Sequence, residues 1–232
     1  MLNHQPNRIE WRADTPFSTK FYDPYYSLDD GLAETEHVFL AGNHLPERYC
    51  DGFHIAELGF GTGLNLLVSL AAWRRSGQSG VLHYSSFEAF PLSPDQMIKA
   101  HKAFAPLQDL AAELAPLWGN RITLYDLRFE VILGDARDTL PKWPGQADAW
   151  FLDGFSPAKN PELWEANLMA EVATHTKTGG SCATYTAAGF VRRGLQAGGF
   201  EVIRCPGFGR KRHMTRGIKS LLPAPIHGLA FC

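Results

Sequence analysis

The sequence predicts an α/β fold, a doubly wound and mostly parallel sheet, from three observations. From residue 53 onward, apolar strand-like runs alternate with helix-like stretches, which supply the long crossovers that parallel neighbours need. The first of these strands runs straight into a glycine-rich turn that opens a helix, the arrangement that builds the ligand crevice of an open α/β sheet. The chain has 232 residues, 45% hydrophobic and 20% charged, which suffices for one large core and excludes disordered and collagen-like sequence.

Residues 1–50 show no clean periodicity and are rich in aromatics and turn formers, as in FSTKFYDPYYSLDDG, before a short helix-like ETEHVFLAGN. They read as an N-terminal extension packed on the core. Strands are expected at 53–58, 81–90, 129–135, 147–153 and 181–186. The helix expected at 64–75 is apolar on nearly every side, which suits cover by a sheet and by neighbours. A second, at 93–104, opens with Ser93 as N-cap, Pro94 and Asp95. A third, at 160–176, repeats that logic with Asn160, Pro161 and Glu162, and a fourth, at 187–199, stops at a glycine pair. Residues 106–128 are too long for a simple crossover and predict an inserted helix and a short strand paired with the next. After residue 200, two strands around a glycine-rich turn predict an antiparallel edge hairpin. The expected division is an extension at 1–50, one core domain at 51–222, and a tail or linker at 223–232.

Composition narrows the classes of function. No window of about 18 consecutive apolar residues occurs, and MLNHQPNRIEWRAD lacks the basic and apolar regions of a signal peptide. The expectation is a cytoplasmic protein. Cys50, Cys182, Cys205 and Cys232 lie far apart without a C-x-x-C pair, and nine histidines show no metal-ligand spacing, so reduced thiols and no metal are expected. The formal charge is -2, but residues 191–219 carry eight basic side chains against Glu201 alone, leaving 14 basic and 23 acidic residues elsewhere. That asymmetry predicts an anion-binding face.

The glycine-rich turn reads Glu57-Leu58-Gly59-Phe60-Gly61-Thr62-Gly63-Leu64-Asn65. A dinucleotide fingerprint is G-x-G-x-x-G, with a pyrophosphate at the helix N-terminus. Here the spacing is E-x-G-x-G-x-G, and a carboxylate beside the loop repels a pyrophosphate but attracts the ammonium and sulfonium centres of S-adenosylmethionine. A tight strand-to-helix turn without a ligand is the alternative. Glu88 ends the second strand where such folds place an acid on ribose hydroxyls, or it is a solvated strand-end acid. Asp135 ends the third, where it can accept from an adenine amino group, cap the next helix, or both. The fourth strand delivers Asp153-Gly154-Phe155-Ser156-Pro157-Ala158-Lys159-Asn160-Pro161. Asp153 can accept an amine's N–H bonds and stabilise the cationic nitrogen of an N-methylation, with Phe155 as an aromatic wall. Capping of the following helix is the alternative, with more weight for Lys159 and Asn160. Trp150 and Trp164 read as core.

Six runs, YYSLDDGLAETEHVFLAGN, ELGFGTGLN, FEAFPLS, WFLDGFSPAKNPELW, AAGFVRRGLQAGGF and GFGRKRHM, resemble the methyltransferase half of the MnmC family of tRNA wobble-uridine modification enzymes. The runs lie between Tyr25 and Met214, and the resemblance covers the chain from about residue 15 to 216. The resemblance implies a class I S-adenosylmethionine-dependent methyltransferase fold. It also implies methylation of the aminomethyl group on carbon 5 of 5-aminomethyl-(2-thio)uridine at the wobble position. It places the donor near Glu57, Gly59, Phe60, Gly61, Gly63, Asn65, Glu88 and Asp135, sets Asp153 where the family's catalytic-site carboxylate lies, and lets Tyr25 close over the cofactor. Members of that family continue into a flavin-dependent oxidase domain that makes the aminomethyl substrate from a carboxymethylated precursor. This chain stops after SLLPAPIHGLAFC, so a stand-alone enzyme or a truncated one, with an oxidase acting upstream, is expected.

An RNA partner fits the basic segment. Arg192, Arg193, Arg210, Lys211 and Arg212 are candidates for phosphate contacts, and Phe190 and Phe208 for stacking on splayed anticodon bases. A solvated hairpin and core phenylalanines are the alternatives. Competing functions are an aminopropyltransferase of the spermidine-synthase type, whose polyamine substrate the clustered cations would repel, and a catalytically silent tRNA-binding module. A nicotinamide oxidoreductase is disfavoured by the glycine spacing and by Glu57.

Overall fold

The computed structural model describes residues 9–220, so the expected tail at 223–232 and Cys232 lie outside the described residues. The described residues open with β1 (Ile9–Arg12), β2 (Thr15–Ser18) and β3 (Asp23–Pro24), a small antiparallel sheet of their own. Helix α1 (Gly31–Thr35) follows, N-capped by Asp30, whose side chain accepts from the Ala33 N–H. The chain continues through a π-helical turn (Glu36–Leu40) and a 3-10 turn (Ala41–Asn43).

The main sheet then begins: β4 (His54–Leu58), α2 (Leu64–Arg75), β5 (Leu82–Glu88) and α3 (Pro94–His101). Helix α3 starts in a capping box, with Ser93 and Gln96 each satisfying the other's backbone N–H. The inserted segment supplies α4 (Gln108–Leu114) and β6 (Arg121–Thr123) before β7 (Leu127–Leu133). The rest is α5 (Ala136–Thr139), β8 (Ala147–Leu152), α6 (Ala166–Thr174), β9 (Thr176–Thr184), α7 (Gly189–Ala197), β10 (Phe200–Pro206) and β11 (His213–Lys219).

The eight strands lie in the order β10-β11-β9-β8-β4-β5-β7-β6. The pairs from β9 through β7 are parallel, while β6 and the β10–β11 hairpin add antiparallel edges. This is the expected doubly wound α/β class with its edge hairpin. Strand alternation splits the core in two. Ile55, Tyr84, Phe129, Ala149 and Phe151 face α2 to α4 and the 38–49 segment, whereas Ala56, Leu58, Phe87, Trp150 and Leu152 face α5 to α7.

Residues 9–50 are fastened to that first face. Val38, Phe39, Leu40, Leu45 and Tyr49 are buried in its cluster. Arg48 ties the segment down by donating to Ser181 Oγ at 2.6 Å and to the Asp148 carbonyl at 3.0 Å.

Two elements differ from the sequence expectation. The predicted helix at 160–176 is a 3-10 turn at Pro161–Trp164 followed by a separate helix from Ala166. Glu165 is extended between them, and the Trp164 indole is turned into the core to donate to the Phe155 carbonyl at 2.9 Å. Strand β9 starts five residues before the predicted 181–186, its glycine pair being accommodated by an irregularity in the pairing with β8.

Candidate functional site

Strand β4 is flanked by β5 on one side and β8 on the other, so the chain reverses its winding direction there and opens a crevice beyond the strands' carboxyl ends. A cavity of about 470 Å³ lies at that position, within the range of about 300–1,000 Å³ that small-molecule sites occupy. The strand ends beneath it are laced together. The Gly59 N–H donates to the Phe87 carbonyl at 2.9 Å and the Asp153 N–H to the Leu58 carbonyl at 3.0 Å.

The floor of the cavity is a buried polar relay. Glu57 and Asp153 end neighbouring strands on the sheet face that carries Ile55 and Phe151, so both side chains rise toward the start of α2. There the Asn65 amide donates to Asp153 Oδ2 at 2.7 Å and to Glu57 Oε1 at 2.8 Å, and its carbonyl oxygen accepts from Thr35 Oγ1 at 3.0 Å. Ser86, opposite Glu57 in register, donates to Glu57 Oε2 at 2.7 Å. Burial pushes the Glu57 carboxyl up to about 8 and the Asp153 carboxyl up to about 7, the Asn65 hydrogen bond opposing the rise in each case.

The walls come from three segments. Phe155 stacks on Phe21 at 4.9 Å between ring centroids and meets Tyr25 edge-on at 5.1 Å. Glu88 is held in place by the Gly61 N–H at 3.0 Å and the Phe90 N–H at 2.7 Å, though burial still raises its pKa. Gly59 and Gly61 adopt the left-handed region, at φ 88° and 54°. A Cβ on Gly61 would press on the Tyr25 ring at 3.2 Å, which explains why glycine brings this loop under the aromatic cover.

Of the residues singled out from sequence, Gly59, Phe60, Gly61, Asn65, Glu88, Asp135, Tyr25, Asp153, Phe155, Asn160, Phe208, Arg210 and Lys211 line the cavity. Others do not. Glu57 is fully buried beneath the loop, behind Asn65, so it supports the floor instead of facing a donor. Gly63 packs below, against Met97, Phe60 and Trp118. Asp135, while lining the cavity, also caps α5 through the Arg137 N–H and grips the Arg137 guanidinium at 2.7 Å, which holds its carboxyl below the ordinary range. Lys159 pairs with Asp23 at 2.8 Å and donates to the Tyr22 carbonyl at 2.5 Å, clasping the β8 loop to the N-terminal sheet.

The eight cations of 191–219 do not share one task. Lys219 donates to the Thr176 carbonyl at 2.8 Å, Arg216 contacts His44, and Arg210 lies 3.7 Å from Asp29. Arg192 is partly buried on α7, while Arg193, Arg204 and Arg212 are exposed. Sequence reasoning missed Phe21, Glu34, Thr35 and Tyr185, all of which line the cavity. The helix signal at Asp30, a cap three residues ahead of Ala33, was the available pointer to Glu34 and Thr35.

A family model described as S-adenosyl-L-methionine-dependent methyltransferase matches residues 101–220. The chain belongs to this family. Curated relatives named tRNA 5-methylaminomethyl-2-thiouridine biosynthesis bifunctional protein MnmC include one from Hahella chejuensis, 43% identical over 90% of this chain and 36% of its own length. Another, from Pseudoalteromonas atlantica, is 45% identical over 90% of this chain and 33% of its own length. The chain therefore spans about a third of these relatives. The crystal structure of MnmC2 from Aquifex aeolicus is similar with a TM-score of 0.72 at 28% identity, covering 96% of this chain and 72% of that one.

The cofactor of this methyltransferase family, S-adenosylmethionine, suits the lining described above. Glu88 lines the cavity beside the glycine loop, where a carboxylate can take ribose hydroxyls. Gly134, Asp135 and Ala136 line a side open to a base, and the acidic floor suits cationic centres. Among the described residues no group of side chains could hold a metal ion, and no helix is long and apolar enough to cross a membrane. Cys50, Cys182 and Cys205 are free thiols.

The buried relay makes stability depend on pH. A carboxyl whose pKa is higher folded than unfolded favours the folded state most below its unfolded pKa, and that contribution is lost as pH rises through the folded value. Tm is therefore expected to fall between pH 5 and 8. Glu57→Gln, which keeps the size and the hydrogen-bonding atoms, should flatten the fall; a wild-type slope in the variant would remove Glu57 as its source.

Proposed function

We propose that this methyltransferase acts on tRNA, converting 5-aminomethyl-(2-thio)uridine at the wobble position to 5-methylaminomethyl-(2-thio)uridine. The observation that carries the reading is Asp153: a carboxylate fixed by Asn65 on the floor of an aromatic-walled cavity, as an amine nucleophile requires. Bound S-adenosylmethionine supplies an electrophilic methyl group. Glu88 and the Gly59–Gly61 loop would hold the cofactor's ribose, Asp135 and Ala136 would border its base, and Tyr25 would cover it. Asp153 takes a proton from the substrate ammonium and so frees the nitrogen lone pair to form the new N–C bond as the methyl group's bond to sulfur breaks, its electron pair leaving with the sulfur. Phe155 and Phe21 form an apolar wall that keeps water from the reacting nitrogen.

Relatives at 43% and 45% identity, named for tRNA 5-methylaminomethyl-2-thiouridine biosynthesis, support the tRNA substrate, as do exposed Arg193, Arg204 and Arg212 for phosphates and exposed Phe190 for a base. As an enzyme of tRNA it works in the cytoplasm, and a flavin-dependent oxidation, in the same protein or another, supplies its amine. No observation favours an aminopropyltransferase or a silent binding module.

The test compares acceptors. tRNAs bearing aminomethyl, carboxymethylaminomethyl or unmodified uridine at the wobble position are incubated with methyl-labelled S-adenosylmethionine. Label in the aminomethyl tRNA alone is expected. Equal labelling of all three, or of none with cofactor binding intact, would overturn the substrate assignment.

A further inference from the structure

A cation is already seated at the mouth of the cavity, where the β10–β11 turn meets α1. Lys211 Nζ donates to Glu34 Oε1 at 2.8 Å and lies 4.0 Å from the centroid of the Tyr185 ring. The two sides of this contact differ in mobility. The Glu34 side chain is 12% exposed and the Lys211 side chain 41%. Tyr185 is anchored by its hydroxyl, which donates to the Gly154 carbonyl at 2.6 Å, and packs edge-on against Trp164. Lys211 hangs on a flexible four-carbon stem from a surface turn. Glu34, Tyr185, Lys211 and Asp153 all line the one cavity, and Glu34 and Lys211 act on Asp153 with opposite signs.

A carboxylate and an aromatic ring converging on one point, with no fixed cation of their own, recognise a primary ammonium. We propose that Glu34 and Tyr185 are the receptor for the substrate's aminomethyl group and that Lys211 occupies it as a displaceable stand-in. The inference rests on the amine-methyltransferase reading of this site. Exchange of Lys211 for the substrate ammonium swaps one cation for another, so the receptor keeps its charge balance while Asp153 gains a neighbour that can give it a proton. The same receptor discriminates, because an amine that carries a carboxymethyl group would bring a second carboxylate against Glu34. Arg210, on the same turn as Lys211, lies 3.7 Å from Asp29 just ahead of α1.

The probe is the free nucleoside 5-aminomethyl-2-thiouridine, which has no phosphate, titrated calorimetrically into the protein loaded with S-adenosylhomocysteine. Lys211→Met should tighten its binding by about threefold to fivefold, the worth of one partly exposed ion pair. Glu34→Gln should weaken it by about tenfold or more, the loss of a charge-assisted hydrogen bond. Neither variant should change the binding of 5-hydroxymethyl-2-thiouridine, which is neutral, and a melting curve for each variant establishes that it is folded. Weaker nucleoside binding in Lys211→Met, or unchanged binding in Glu34→Gln, would overturn the receptor. A wild type that binds the nucleoside but does not methylate aminomethyl tRNA would overturn the functional reading instead.

Discussion

Asp153→Asn is expected to lower kcat on aminomethyl-bearing tRNA by about 10²- to 10⁴-fold, the range that a positioned acid–base group contributes, while leaving cofactor affinity close to that of the wild type. The substitution is nearly isosteric, and the new side chain still presents an oxygen to the Asn65 amide, which now donates to Asp153 at 2.7 Å. What disappears is the negative charge and the proton acceptor. The wild-type carboxyl is pushed up to about 7 by burial, and only its ionised form can take a proton from the substrate. Wild-type kcat should therefore rise with pH through about 7, and this inflection should vanish in the variant. Steady-state kinetics across pH, with a calorimetric titration of S-adenosylhomocysteine, separate the two effects. Equal losses in turnover and in cofactor affinity would assign Asp153 to cofactor binding.

Gly59→Ala is expected to damage fold and function together. Gly59 has φ 88°, and a Cβ there would lie 2.5 Å from the Asp153 carbonyl oxygen. Left-handed strain costs about 1–3 kcal/mol, and forcing backbone apart in a packed region about as much again. The loop that would yield is the one bearing Asp153, so turnover should fall by about 10²-fold, as a displacement near 1 Å can produce. Urea unfolding and turnover measured on the same preparation test both halves. A variant with wild-type stability and lowered cofactor affinity alone would show that the two loops are not mechanically joined.

Much of the sheet was legible because its strands are buried on both faces and read as continuous apolar runs between capped helices. Leu64–Arg75 was bounded correctly by the glycines before it and the arginines at its end. The N-terminal sheet was not legible, since strands as short as Asp23–Pro24 carry no period. Glu57 illustrates a different failure. Its place before the glycines suggested a ligand contact, yet strand alternation sets it on the same face as Ile55, under α2, where Asn65 reaches it first. The basic segment misled for a third reason, because the direction of a long side chain is not written in its spacing. Lys219 turns to the Ala173 and Thr176 carbonyls between α6 and β9, and Lys211 turns into the cavity. Glu34 and Tyr185 converge only because α1 packs over the carboxyl ends of the strands, a contact that neither local pattern announces.

The most direct measurement of the central claim is a single turnover with methyl-labelled S-adenosylmethionine and tRNA carrying 5-aminomethyl-2-thiouridine at the wobble position, followed by digestion and identification of the labelled nucleoside. All label in 5-methylaminomethyl-2-thiouridine, and almost none from the Asp153→Asn protein, is the expected result. Label on a ring nitrogen, on a ribose oxygen or on a different nucleoside would contradict it.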